Sequence, residues 1–168
     1  NYVFWTPKMR KVTPALKAAL KRNREDIVVA TGPTLSFWGS SLRKGTEQIL
    51  RLLDIEYIDV LQQFWLGKWS AETKSTMETL QALKEEGKIR KIGTSIHDRK
   101  RAGQLAKDRV FDMLMIRYNA AHPGAESDIF PHVNPMHTAV VAYTATSWRK
   151  LLKSPKKWDG KVPTAADC

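Results

Sequence analysis

Six short β-rich runs alternating with helical stretches constrain this chain more than any other feature. Tyr2–Trp5 (YVFW), Asp26–Thr31 (DIVVAT), Tyr57–Phe64 (YIDVLQQF), Ile89–Ile96 (IRKIGTSI), Met113–Tyr118 (MLMIRY) and Thr138–Thr146 (TAVVAYTAT) read as strands, rich in β-branched and aromatic residues. Between them, apolar residues recur at helical spacing. Thr13-Pro14 offers an N-cap residue and an N1 proline ahead of Leu16, Ala19 and Leu20. Leu42, Thr46, Ile49, Leu50 and Leu53 follow the i, i+4, i+7, i+8, i+11 rhythm of a one-faced helix. Ser70 can cap a third helix that turns Met77, Leu80 and Leu83 inward and halts at Gly87. Asp98 can cap a short basic fourth helix running toward Leu105, and His122–Pro131 has room for a helical turn or two.

Such alternation implies parallel βα units joined by right-handed crossovers. An open doubly wound sheet and a (β/α)8 barrel both satisfy it. The doubly wound sheet usually carries a Gly-rich phosphate turn after its first strand, and the GTS at 93–95 is not G-x-G-x-x-G. A full barrel typically needs about 250 residues. This chain has 168, opens on Asn1 directly in a strand-like run, and stops at Cys168 just after a helix-start pattern, VPTAADC. The expectation is an incomplete (β/α)8 TIM barrel in which residues 1–168 form a single partial domain of about six of the eight βα units, with the first and last strands outside it. Six strands leave two unpaired edges, which barrels exist to avoid. The edges are expected to be covered by further strands of the same gene product or by association with another chain.

Composition narrows the function classes. Hydrophobic residues make up 42% and charged residues 27%, ordinary for a globular protein. No run of about 18 apolar residues is present, so a membrane span is not expected. A single cysteine, Cys168, rules out an internal disulfide, and no set of Cys and His at zinc spacing occurs. A cytoplasmic setting is the default expectation. The net charge of +11 could draw an anionic cofactor or nucleic acid. Yet Lys and Arg are spread along the chain without a helix-turn-helix, zinc-finger or RNA-binding motif, so solvated helix faces are the main reading and no nucleic-acid partner is expected.

The stretch EGKIRKIGTSIHD, together with REDIVVAT, YIDVLQQF, RYNAAHPGAE and VVAYTAT, resembles the aldo-keto reductase superfamily. The resemblance runs in order along nearly the whole chain. It implies a barrel that transfers a hydride between NADP or NAD and a small-molecule carbonyl substrate. The family's chemistry uses a Tyr general acid, a Lys that lowers its pKa, an Asp behind the Lys and a His that orients the carbonyl. Carried over by position, the Asp falls on Trp5 and the Tyr on Arg10, with room for a slip of one at this end. The Lys falls on Gly32 in VVATGP and the His on Phe64 in YIDVLQQF. Neither of these last two can move a proton, so the usual catalytic set is substituted. The alternative to a divergent reductase is a catalytically inactive barrel binding a nucleotide or protein partner.

The resemblance also implies cofactor contacts. Ser95 keeps the family's serine against the nicotinamide carboxamide, whereas Ile96 replaces its asparagine and Met115 its glutamine. Tyr143 corresponds to the ring that stacks on nicotinamide, or is a core residue of the barrel mouth. Thr144, Thr146 and Ser147 fall where the pyrophosphate would run. The residues themselves leave other roles open. His97, Arg117 and His122 are the candidates for substitute catalysts. His97 could touch cofactor or substrate, or be loop polarity. Asp98 reads better as a helix cap than as an acid catalyst. Arg117 needs a partner, either a carboxylate among Asp59, Asp112 and Glu126 or an anionic substrate. Trp65 and Trp148 could wall a substrate pocket or pack at the rim, as could Trp38 and Trp69.

Overall fold

The computed structural model describes residues 1–34, 38–66, 73–153 and 164, apart from the side chain of Trp65. Ser70, Trp69, Cys168 and the pocket role expected of the Trp65 ring lie outside the described residues.

Six strands form, β1 (Tyr2–Phe4), β2 (Val28–Thr31), β3 (Ile58–Leu66), β4 (Ile89–Ile96), β5 (Met113–Arg117) and β6 (Ala139–Tyr143). All neighbours are parallel and their order in the sheet is their order in the chain. That order is the one a (β/α)8 barrel requires, and the sheet curls as a half-barrel. Its edge strands are β1 and β6, with no further strand beyond either among the described residues.

Alternation along the strands sorts side chains between two cores. Val29, Leu61, Ile92, Ile96, Leu114 and Ile116 face outward into the layer of helices. They meet Leu16 and Leu20 of α1 (Thr13–Arg22), Leu42, Ile49 and Leu53 of α2 (Gly39–Leu53), Leu80 and Leu83 of α3 (Lys74–Glu85), and Ala102 and Leu105 of α4 (Arg99–Lys107). Ala30, Val60 and Met113 turn inward with Val141, making a smaller core inside the curl.

The ends of the helices follow local chemistry, with two corrections. Val12, not Thr13, precedes α1; the Thr13 hydroxyl donates to the Met9 carbonyl at 3.1 Å and accepts from the Trp5 indole at 3.1 Å. Thr73 caps α3 in a reciprocal box with Thr76, a partner whose hydroxyl does what Glu or Gln does in the common form. Asp98 caps α4 by accepting from the Arg101 amide at 3.1 Å. Gly87 follows α3 with φ +72, the left-handed conformation glycine adopts without cost. The His122–Pro131 region holds one helical turn, α5 (Ala125–Asp128), and a 3-10 turn over Phe130–His132. Strand β6 ends at Tyr143 rather than running to Thr146, because Thr144 takes a left-handed φ of 57.

At the N-terminal end of the strands, Tyr57 lies between two guanidiniums, Arg24 at 3.9 Å and Arg90 at 3.8 Å from its ring centroid. Asp59, buried behind them, accepts from Arg24 at 2.8 Å and from the Val29 amide at 2.9 Å. Among the described residues no helix is long and apolar enough to cross a membrane.

Candidate functional site

At the C-terminal ends of the strands, the inward positions converge. Phe4 of β1, Phe64 of β3, Ser95 of β4, Met115 of β5 and Tyr143 of β6 line one cavity of about 320 Å³. Loop residues Thr6, Lys8, Thr34 and His97 complete it. A larger cleft of about 480 Å³ lies between α1, the end of α2 and Tyr57. It opens at the other end of the strands, whereas barrel chemistry gathers at the C-terminal face.

The floor of the mouth is aromatic. Phe4 and Phe64 meet edge to face, ring centroids 5.7 Å apart. Gly32 sits beside them, and a Cβ added there would run into the Gln62 carbonyl oxygen and stand 3.1 Å from the Phe64 ring. The backbones of β2 and β3 have therefore closed over the place where a side chain would start. Beneath this floor Gln62 is fully buried; its Nε2 donates weakly to the Tyr2 hydroxyl at 3.4 Å, and its Oε1 accepts no hydrogen bond among the described residues.

One wall carries the titratable groups. The Tyr143 hydroxyl lies 2.7 Å from His97 Nδ1 and 3.3 Å from Nε2, with the rings nearly perpendicular at 84°. The imidazole thus meets the hydroxyl end of Tyr143. Burial holds the Tyr143 phenol above the usual tyrosine range, and the positive charge of Arg117 opposes that shift. Ser95 is nearly buried, and its hydroxyl makes no hydrogen bond among the described residues. Ile96 turns away into the outer core.

The sequence-derived candidates divide here. His97, Ser95 and Tyr143 come together in the cavity. His122 does not line it; its Nδ1 lies 3.0 Å from Asn119 Oδ1, and Asn119 Nδ2 donates to the Thr144 carbonyl at 2.7 Å. Thr144, Thr146 and Ser147 lie in the loop after β6 and are engaged with that loop's own backbone. The Thr144 hydroxyl donates to the Tyr143 carbonyl at 2.7 Å, the Thr146 hydroxyl accepts from the Arg149 amide at 3.2 Å, and the buried Ser147 donates its amide to the Thr144 carbonyl at 2.7 Å. Trp148, 63% exposed, covers the Arg117 guanidinium at 5.2 Å.

Two expectations change. Trp5 does not face the mouth: it is 1% exposed in the outer core, and its neighbours Phe4 and Thr6 face the cavity instead. Strand alternation decides this. Arg117 has none of its expected carboxylate partners, because Asp59 pairs with Arg24, Asp112 with Lys91 and Lys84, and Glu126 accepts from the Tyr118 hydroxyl. Phe4 and Thr6 were readable from the period of two through Tyr2; Lys8 and Thr34 come from loops that carry no such signal.

The family model described as the aldo/keto reductase family matches residues 5–157. No curated protein matches the chain. Among solved structures, an aldo-keto reductase from Bacillus halodurans in its holo form is 23% identical, covering 96% of this chain and 57% of its own, with a TM-score of 0.73. An aldo/keto reductase from Klebsiella pneumoniae in complex with NADP and acetate is 22% identical over 89% of this chain and 54% of its own, TM-score 0.70. A putative aldo-keto reductase from Pseudomonas aeruginosa is 22% identical over 83% and 57%, TM-score 0.68. The chain spans a little over half the length of these solved relatives.

Proposed function

The chain belongs to the aldo/keto reductase family, and on that premise we propose that its mouth is the nicotinamide and carbonyl site of an NADP- or NAD-linked oxidoreductase with a substituted acid–base set. The observation that carries the reading is the cavity of about 320 Å³ walled by Ser95, Met115 and Tyr143 at the C-terminal ends of the strands. The residues present fit a nicotinamide: the Ser95 hydroxyl is uncommitted toward a carboxamide, and the Tyr143 ring is held by its hydroxyl end, which leaves a face for stacking. Thr144, Thr146 and Ser147 would hold the pyrophosphate run through the loop backbone they shape.

When bound, the reduced cofactor supplies the hydride to the carbonyl carbon. His97 donates the proton to the carbonyl oxygen as it becomes an alkoxide, the task that the residues at Gly32 and Phe64 cannot take. The apolar ring pair Phe4 and Phe64 excludes water from that oxygen, and Trp148 frames the substrate from the rim. His122 acts from behind, steadying the Thr144 carbonyl through Asn119.

The second reading, a nucleotide-binding barrel without turnover, draws on Gly32, where β3 leaves no space for a lysine. Oxidation of NADPH and NADH should be followed with a panel of aldehydes and quinones in wild type and His97→Gln. Turnover that falls at least about tenfold in His97→Gln supports the proton role, within the usual reach of general acid catalysis. Cofactor binding without turnover on any of the panel would select the second reading.

A further inference from the structure

We propose that the mouth selects carbonyl substrates bearing an anionic group, a carboxylate or a phosphate, and that Arg117 is its anchor. The carbonyl half of this statement rests on the reductase reading above; the anionic half rests on the charges of the mouth.

Met113 and Met115 face the interior of the curl, so Arg117, two residues on, leaves β5 on the same face at the C-terminal mouth. In the sheet register it stands beside Tyr143, which walls the cavity. Its Nε is buried without a hydrogen-bond partner, and it makes no ion pair among the described residues. The three carboxylates expected to neutralise it are engaged: Asp59 by Arg24, Asp112 by Lys91, Lys84 and the Ile92 amide, Glu126 by Tyr118. Its guanidinium lies over the Trp148 ring at 5.2 Å, which attracts the charge but accepts no N–H in the plane of the fork.

A half-buried guanidinium whose Nε finds no acceptor among the described residues is costly to keep, and a carboxylate or phosphate supplies acceptors two at a time. The rest of the lining agrees in sign. Lys8 lines the cavity, and among the described residues no carboxylate does. A neutral aldehyde would leave that charge unanswered, whereas an oxyanion beside the carbonyl would meet it. The diphosphate of a bound cofactor has the same chemistry and is the competing source of the anion.

Steady-state kinetics on matched pairs separate the two sources: 4-oxobutanoate against butanal, and glyceraldehyde 3-phosphate against glyceraldehyde, with NADPH affinity measured alongside. Wild type should favour the anionic member of at least one pair by about tenfold or more, the reach of one charge-assisted hydrogen bond. Arg117→Gln should erase that preference while butanal turnover and NADPH affinity stay within about twofold. Arg117→Lys, which keeps the charge and loses the fork, should restore part of it and guards against misfolding of the first variant. No preference in wild type, or the same preference in Arg117→Gln, overturns the proposal. A fall in NADPH affinity with equal losses on both members of a pair assigns Arg117 to the cofactor diphosphate and also overturns it. If no cofactor binds, the reductase reading fails separately, and calorimetry with 4-hydroxybutanoate and glycerol 3-phosphate still reads the anchor. Saturation in wild type that is lost in Arg117→Gln supports it; no saturation contradicts it.

Discussion

At the residue scale, Gly32 decides what this mouth can do. On the proposed reading the family's lysine would fall there, and there is no room for one, since the Gln62 carbonyl occupies the place of a Cβ. Gly32→Lys should therefore lower stability by roughly 1–3 kcal/mol, as overpacking does, and restore no turnover. Chemical denaturation with an activity assay checks both, and a stable, more active variant would contradict the account. This crowding could not be read from VVATGP, because it depends on which strand lies alongside. Phe64 was legible from YIDVLQQF, and Phe4 and Thr6 from alternation along β1. The partner of Arg117 was not: three carboxylates were within reach on paper, and packing gave each of them to another donor. Only the folded neighbourhood shows that Arg117 makes no ion pair among the described residues.

At the element scale, side chains near helix ends tie the outer layer together. Asp98→Ala should cost about 1 kcal/mol by removing the cap of α4, while leaving NADPH affinity unchanged; a large loss of affinity with unchanged stability would instead make Asp98 part of the chemistry. Glu86, just after α3, accepts from Arg43 of α2 at 2.9 and 2.7 Å and pairs with Lys88 at 2.9 Å. The Arg43 hydrogen bonds, then that of Lys88, lower its carboxyl to about 2. The folded pKa lies below the unfolded one, so the clamp contributes fully above the ordinary glutamate value of about 4.3 and is lost as pH falls toward 2. Denaturation midpoints measured across that window should fall more steeply in wild type than in Glu86→Gln, and parallel curves would contradict the clamp. The helices were legible from their apolar rhythm. Their caps were less so, because Thr73 and Thr76 make a box without an acidic residue, and Thr13 gives its hydroxyl to Trp5 and Met9 instead of to the helix.

At the scale of the whole molecule, the alternation of strand and helix carried the architecture. Strand order follows chain order through all six strands, as parallel βα units dictate. The outer edges of β1 and β6 pair with nothing among the described residues, and Tyr2, Phe4 and Val28 near one edge are 41%, 36% and 39% exposed. Unpaired parallel edges recruit partners, so residues 1–168 alone should associate in sedimentation experiments; a monomer with one cooperative unfolding transition would argue against this. Titrating NADPH into wild type and Tyr143→Ala while following nicotinamide emission tests the proposed nicotinamide site at the mouth walled by Tyr143. Binding should saturate, and should weaken by about 1–2 kcal/mol when the stacking ring is removed. No binding at millimolar NADPH, or equal affinity in the two proteins, would contradict it.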